Sequence, residues 1–291
     1  MTKTPAIQVK PLTPNLGARI TGIDLGEPLG GDTIVEIRQA LLRYEVLFFE
    51  EQDLSPIQQR DFAARFGALH LHPIRPSVPG TPEVLVLDHQ PTSDTDVGAW
   101  RADVTFIETP PMGSILYARE VPPEGGDTLW SSMRAAHAAL SPAVRAFLAP
   151  LDAEHDFTRS FPPDHLTSLN VGIERYAWAR REYPPVAHPL VRTHPETGHD
   201  GLFVNSGFTT RVLGLSKAES ENILQFLREH IQRPEFVIRW RWKPNTLAFW
   251  DNRVTQHYTV DDFQPHRRVM HRVTILGDKP FNRSCLRMAA E

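Results

Sequence analysis

The chain predicts a mainly β protein with flanking helices, built on a double-stranded β-helix (jelly-roll) core. Three observations carry that reading. Eight or more apolar runs have strand length, 26 prolines and 17 glycines in 291 residues break them up, and only a few amphipathic stretches are long enough for helices. With 41% hydrophobic and 23% charged residues the chain can bury a sizeable core. No linker, repeat or low-complexity segment divides it, so a single domain over residues 1–291 is expected.

Taken in order, Ile7–Leu12 and Ala18–Ile23 read as short strands divided by Pro14-Asn15-Leu16-Gly17. Thr33 and Glu36 have capping-box spacing and predict a helix reaching about Tyr44. Val46–Phe49 is a short apolar β run. Ser55-Pro56 supplies an N-cap and an N1 proline for a helix whose apolar stripe is Phe62, Ala63 and Phe66, with Gly67 as its C′ stop. Glu83–Leu87, Ser114–Ala118 and Thr128–Ser131 read as strands, with Gly125-Gly126 as a tight turn before the last. Ser141-Pro142 opens another helix. Residues from about 158 to 185 are polar and aromatic and lack periodicity, which predicts an insertion or lid. Pro189–Thr193 and Leu202–Asn205 resume the β pattern. Leu215–Ile231 is an amphipathic helix with Ser216 as N-cap and Glu219 three residues on. Phe236–Trp242 alternates apolar with polar, so Trp240 and Trp242 face a core; Thr246–Trp250 and Arg272–Leu276 close the set.

Composition excludes several classes of function. A formal net charge of −4 argues against a general binder of nucleic acid or membrane surfaces. The single cysteine, Cys285, cannot form an internal disulfide, and the N-terminus has no apolar leader pattern. No apolar run approaches the ~18 residues of a membrane span. The expectation is a soluble cytoplasmic protein that forms a homo-oligomer.

The chemistry concentrates in 249–272, FWDNRVTQHYTVDDFQPHRRVMHR. There His257 is followed eleven residues later by Arg268, then by Arg272. A metal-ligating histidine with a carboxylate-binding arginine at that spacing points to a non-haem iron site that also holds a dicarboxylic acid. Such sites use two histidines and one carboxylate on one face of the ion. The carboxylate half would be Trp100-Arg101-Ala102-Asp103, with residues 101 and 103 sharing one face of a strand. Taken singly, His257 reads as a core histidine and Asp103 as a turn residue.

Longer blocks change that balance: RFGALHLHP (65–73), DVTFIETPP (103–111), GGDTLW (125–130), HPLVRTHPETG (188–198), LFVNSGFTTR (202–211), RPEFVIRWRW (233–242), WDNRVTQHY (250–258) and RRVMHRVTILGDKPF (267–281). Through these the chain resembles the taurine dioxygenase branch of the Fe(II)/2-oxoglutarate-dependent dioxygenases, from Gly17 to Pro280. The resemblance implies Fe(II) and 2-oxoglutarate as cofactors, with molecular oxygen and a small sulfonate-like anion as reactants. Asp103 and His257 match iron ligands. Thr128 and Arg268 match the groups that hold the 2-oxoglutarate carboxylates, His72 and Arg272 those that clamp the substrate sulfonate, and Phe161 and Phe208 aromatics of the substrate pocket. The implied reaction hydroxylates the carbon beside the sulfonate while 2-oxoglutarate is decarboxylated to succinate.

Three positions depart from the family. Arg101 stands where the first histidine ligand belongs, and a guanidinium has no lone pair to give a metal. It could fork onto Asp103 and receive an anionic cosubstrate without metal. Alternatively it swings aside, leaving a two-ligand site completed by water or another histidine, for which His70 is eligible. Arg75 replaces a common tyrosine and Val97 an asparagine, both of which face the amine of taurine in the family. An arginine repels an ammonium and a valine offers it no acceptor, so a substrate without an amine is expected. The alternative function is a 2-oxoglutarate- or anion-binding protein without oxygenase activity.

Overall fold

Residues 7–73, 75–90, 98–163 and 172–283 are described by the computed structural model. Val97, Cys285 and the 164–171 part of the insertion lie outside the described residues. The strands are β1 (Gln8–Pro11), β2 (Ala18–Thr21), β3 (Val46–Phe49), β4 (Ser77–Val78), β5 (Thr81–His89), β6 (Gly113–Glu120), β7 (Thr128–Ser132), β8 (Asp152–His155), β9 (Val186–Pro189), β10 (Val191–Thr193), β11 (Asp200–Leu202), β12 (Thr209–Val212), β13 (Val237–Trp240), β14 (Leu247–Asp251), β15 (Thr255–Thr259) and β16 (Arg268–Ile275). The helices are α1 (Gly31–Tyr44), α2 (Pro56–Ala64), α3 (Met133–Ala138), α4 (Pro142–Leu148), α5 (Ile173–Glu182) and α6 (Lys217–His230).

One large sheet runs β1-β2-β3-β14-β6-β16-β5-β4, and a smaller sheet, β13-β7-β15, faces it. The central strands β3 and β14 are buried along their whole length, because both faces of the large sheet are covered. Their side chains divide by parity. Leu47, Phe49, Leu247 and Phe249 meet Ile37 and Leu41 of α1 and Phe62 of α2. Val46, Phe48, Ala248 and Trp250 face Trp130 and Trp240 across the gap to the smaller sheet. The Trp240 ring stacks on Phe48 with centroids 3.9 Å apart, and the alternation expected of 236–242 is present, with Arg239 and Arg241 outside. This two-sheet sandwich with helices outside is the expected jelly roll, and its far mouth is where β7, β15 and β16 converge.

Several local expectations need correction. Thr33 and Glu36 do not form a capping box: α1 starts at Gly31 with Gly30 as N-cap and no side-chain cap. Thr33 is therefore buried inside the first turn, and the Glu36 carboxylate instead accepts from the Ile7 amide ahead of β1. The capping box forms at Ser55 with Gln58, and at Ser216 with Glu219 as expected. Helix α2 ends at Ala64 with Arg65 as its C-cap, so Gly67 lies beyond the C′ position. The segment read as an aperiodic insertion contains α5, whose Tyr176 and Ala179 pack with Phe106, Phe157, Phe161 and Phe208. That aromatic packing, rather than helical periodicity, holds it against the body. The second β run, 202–205, is strand only at Leu202, and β8, β12 and α3 are additional.

Candidate active site

Strand β15 presents His257 between two neighbours. On one side β7 pairs with it, setting His257 against Trp130 and Thr259 against Thr128. On the other, Arg101 forms a two-hydrogen-bond bridge: its amide donates to the His257 carbonyl (3.0 Å) and its carbonyl accepts from the His257 amide (2.8 Å). Residues opposed in this way project side chains to the same face. The Trp250 ring packs 5.1 Å from the imidazole.

Asp103 is not on a strand, as the sequence pattern had suggested. It opens a turn in which Val104 adopts φ 52°, a left-handed conformation costly for a β-branched residue. Asn252 holds that turn, accepting from the Asp103 amide (2.7 Å) and donating to the Asp103 carbonyl (2.9 Å). The buried carboxylate receives Ser114 Oγ on Oδ2 (2.7 Å) and Arg272 Nη1 on Oδ1 (2.7 Å). His257 Nε2 lies 3.8 Å from Oδ1. The fork from Arg101 considered above is thus replaced by Arg272, which β16 places next to Ser114's strand. Burial alone would raise the Asp103 carboxyl, but Arg272, with the neighbouring His257 and Ser114, outweighs it and keeps it below the usual carboxylate range. Burial lowers His257 to about 4 despite Asp103, so its imidazole is neutral near pH 7.

Behind this pair sits Arg268, 1% exposed. Its Nε donates to the Gly126 carbonyl (3.2 Å) and its Nη2 reaches Thr128 Oγ1 at 3.5 Å. Trp242, expected to be core, also donates Nε1 to Thr128 Oγ1 (2.9 Å). Gly126 has φ 67°, and a Cβ there would come within 3.2 Å of Arg268 Cδ, so the glycine of the predicted turn is required for close approach. Burial lowers Arg268 to about 10, which leaves it charged at neutral pH.

One cavity gathers Arg75, Arg101, Arg268, Arg272, His257 and Thr128, together with Trp130, Trp250 and Thr259. His72 lies nearby, buried, its Nδ1 accepting from the Arg75 amide (3.2 Å) and its ring 5.9 Å from Phe161. Burial, then Arg75 and Arg272, hold the His72 imidazole well below its ordinary range. The Arg75 guanidinium stands 5.6 Å over the Phe161 ring, and Phe208 is 6.4 Å from Phe161. Ser114, Asn252 and Gly126 are the residues that sequence reasoning missed as parts of the site. Asn252 and Gly126 lay within recognisable blocks, but only their contacts give them a role.

The donor set meets the requirements of iron in part. Two donors of one ion at about 2.0–2.2 Å can lie up to about 4 Å apart, so Asp103 and His257 can share one. The third position is a guanidinium, which cannot ligate. Among the described residues no group of three His, Cys, Asp or Glu side chains could hold a metal, so His70 does not complete the set. The residues present therefore do not make the three-ligand face of a non-haem iron centre.

A jelly roll with an aspartate–histidine pair at its mouth and a buried arginine behind it defines the architecture of the 2-oxoglutarate-dependent oxygenases. Residues 8–274 match the family described as taurine catabolism dioxygenase TauD, TfdA family, and the chain belongs to it. It is thus of the Fe(II)/2-oxoglutarate-dependent dioxygenase kind, as the sequence blocks implied. An alkylsulfatase of Acinetobacter baylyi is 34% identical over 94% of this chain and 86% of its own length. An alpha-ketoglutarate-dependent sulfate ester dioxygenase of Pseudomonas putida is 36% identical, covering 94% and 91%. The crystal structure of a taurine dioxygenase from Burkholderia xenovorans superimposes with a TM-score of 0.81 at 37% identity, over 96% of this chain and 94% of that one. No helix among the described residues is long and apolar enough to cross a membrane.

Proposed function

We propose that this dioxygenase-family chain takes 2-oxoglutarate and a small amine-free alkyl sulfate ester or sulfonate into its cationic cavity and hydroxylates that anion. Molecular oxygen is the oxidant, one oxygen atom going to the anion and one to succinate, and carbon dioxide is released. The observation that carries the reading is the gathering of Arg75, Arg101, Arg268 and Arg272 in one cavity, with no acidic residue among the described residues that line it. In this reading Arg268 and Thr128 hold the distal carboxylate of 2-oxoglutarate. Buried guanidinium–carboxylate pairs are the strong, orienting kind. His72 and Arg272 take the sulfur oxyanion, Arg272 exchanging part of its hold on Asp103 for the ligand. Phe161 and Phe208 pack the alkyl part.

Arg75 argues against taurine itself. Its guanidinium, 5.6 Å over the Phe161 ring, adds a positive charge to the pocket that would repel a substrate ammonium. The sulfate ester activity of two relatives supports the amine-free class. A second reading, binding of 2-oxoglutarate and anions without oxygenase activity, is favoured by Arg101 at the ligand position.

The test is 2-oxoglutarate consumption with Fe(II) and ascorbate against a panel of alkyl sulfates, alkyl sulfonates and taurine, with succinate and released sulfate or sulfite measured. Alkyl sulfates or amine-free sulfonates are expected to stimulate succinate formation at least about tenfold more than taurine, the size of effect one repelled charge gives at 1.4 kcal/mol. Preference for taurine would remove the role given to Arg75. Calorimetric binding of the anions without any turnover would select the second reading.

A further inference from the structure

We propose that Asn205 is a positioning residue for the anionic substrate. It locks the turn that carries Asp103 to the aromatic wall of Phe208 and Phe161, and so sets how firmly the alkyl part is held. This rests on the substrate reading given above.

Asn205 lies buried between β11 and β12, and its side-chain amide works in two directions. Nδ2 donates to Thr105 Oγ1 (2.9 Å), just beyond Asp103 and 100 residues away in sequence. Oδ1 accepts from the Phe208 amide (2.8 Å). The backbone is fixed as well: the Asn205 amide donates to Thr209 Oγ1 (2.9 Å), and its carbonyl accepts from the Thr209 amide (3.1 Å). Thr105 is buried and held from two further sides. Its hydroxyl shares a hydrogen bond with His155 Nδ1 (2.9 Å), and its carbonyl accepts from His188 Nε2 (3.0 Å).

The loop that follows is gripped between the site and the segment leading to Phe161. On the site side the Ser206 amide donates to the Trp100 carbonyl (3.0 Å). On the other, Arg159 Nε donates to the Ser206 carbonyl (2.8 Å) and Ser160 Oγ to the Gly207 carbonyl (2.6 Å). The Asp156 amide donates to the Phe208 carbonyl (2.9 Å). A Cβ on Gly207 would meet Ser160 Oγ at 3.2 Å and Arg101 Cβ at 3.3 Å, so both sides already close on the loop. Phe208 in turn packs against Phe106 and Phe161, with ring centroids 5.0 and 6.4 Å apart. A paired buried network of this kind rigidifies the segments it joins. Arg268 and Thr128 belong to β16 and β7 and take no part in these bonds, so the 2-oxoglutarate end is independent of Asn205.

The experiment is calorimetric titration of the full chain and of Asn205→Ala, Thr105→Val and Thr105→Ser with inorganic sulfate, ethyl sulfate, hexyl sulfate and 2-oxoglutarate. Hydrogen exchange is measured on each unliganded protein. Hexyl sulfate is expected to bind Asn205→Ala and Thr105→Val at least about tenfold more weakly, the cost of ordering on binding a wall that the network holds ready. Inorganic sulfate and 2-oxoglutarate should change by less than about twofold, because their ends of the site lie outside the network. Thr105→Ser, which keeps the hydroxyl, should bind like the unmodified chain. In Asn205→Ala, exchange should rise in 103–107 and 156–161 together and stay unchanged in β3 and β14. Asn205→Ala carries the test if Thr105→Val does not fold. Equal losses for all four ligands, as a merely destabilised fold would give, overturn the proposal, and so does unchanged hexyl sulfate affinity in both variants. Absence of alkyl sulfate binding by the unmodified chain overturns the substrate reading above. Exchange then decides the lock by itself: a rise in both segments upholds it, and a rise confined to 205–208 overturns it.

Discussion

Titrating an Arg268→Ala variant with 2-oxoglutarate is expected to show an affinity lower by about 2–5 kcal/mol, at least thirtyfold in Kd. The size follows from burial. Arg268 is 1% exposed, held on the Gly126 carbonyl and beside Thr128, and shielded by Trp242's contact to the same threonine. A carboxylate entering that end gives up water and finds its compensation in one guanidinium. Without it the charge would be buried unpaired. Arg268→Lys should recover only part of the loss, because an ammonium cannot reproduce the planar fork. Unchanged affinity in Arg268→Ala would move the cosubstrate site elsewhere.

A second large effect is expected at a place that touches no ligand. Arg253→Met should destabilise the fold by about 3–5 kcal/mol, the cost of leaving a buried ion-pair partner uncompensated. Asp251 is 0% exposed and receives Arg253 Nη2 at 2.6 Å and His194 Nε2 at 3.0 Å. Burial by itself would raise the Asp251 carboxyl, but Arg253 and His194 hold it far below the ordinary carboxylate range. A depressed carboxyl contributes stability above the ordinary carboxylate range and loses it as pH falls through the folded value, so acid should weaken the unmodified protein here. Arg253 also bonds Glu196, which in turn receives Arg38 of α1. Between Asp251 and Arg253 lies Asn252, the clamp on Asp103, so the variant should loosen the site as well as the fold. Thermal unfolding should show a fall of about 10 °C. A shift within about 2 °C would mean that the network is dispensable.

Legibility in the sequence followed the range of the interactions. The period-two pattern of 236–242 and the apolar runs 46–49 and 246–250 identified strands because one sheet face, or both, must be dry. Ser216 and Glu219 formed their capping box because every partner lies within one turn. Thr33 and Glu36 have the same spacing, yet Glu36 bonds the Ile7 amide, 29 residues away, and the helix starts earlier. Strand β8 was missed for a related reason. Its Asp-Ala-Glu-His pattern carries little apolar signal, and His155 is buried against the Thr105 hydroxyl, which no local rule anticipates.

At the site the division is equally physical. Sequence alone supplied the chemical vocabulary: a carboxylate and an imidazole able to ligate a metal, an arginine able to pair with a carboxylate, and at position 101 a group that cannot ligate. Donor capacity belongs to the residue type, so it needs no coordinates. Only the tertiary structure decided which charges meet. Arg272, 169 residues from Asp103, takes its carboxylate because β16 lies beside β6, while Asn252, 149 residues away, turns the Asp103 backbone out of strand geometry. Those pairings depend on sheet order and on contacts between distant segments, and local spacing carries no record of either.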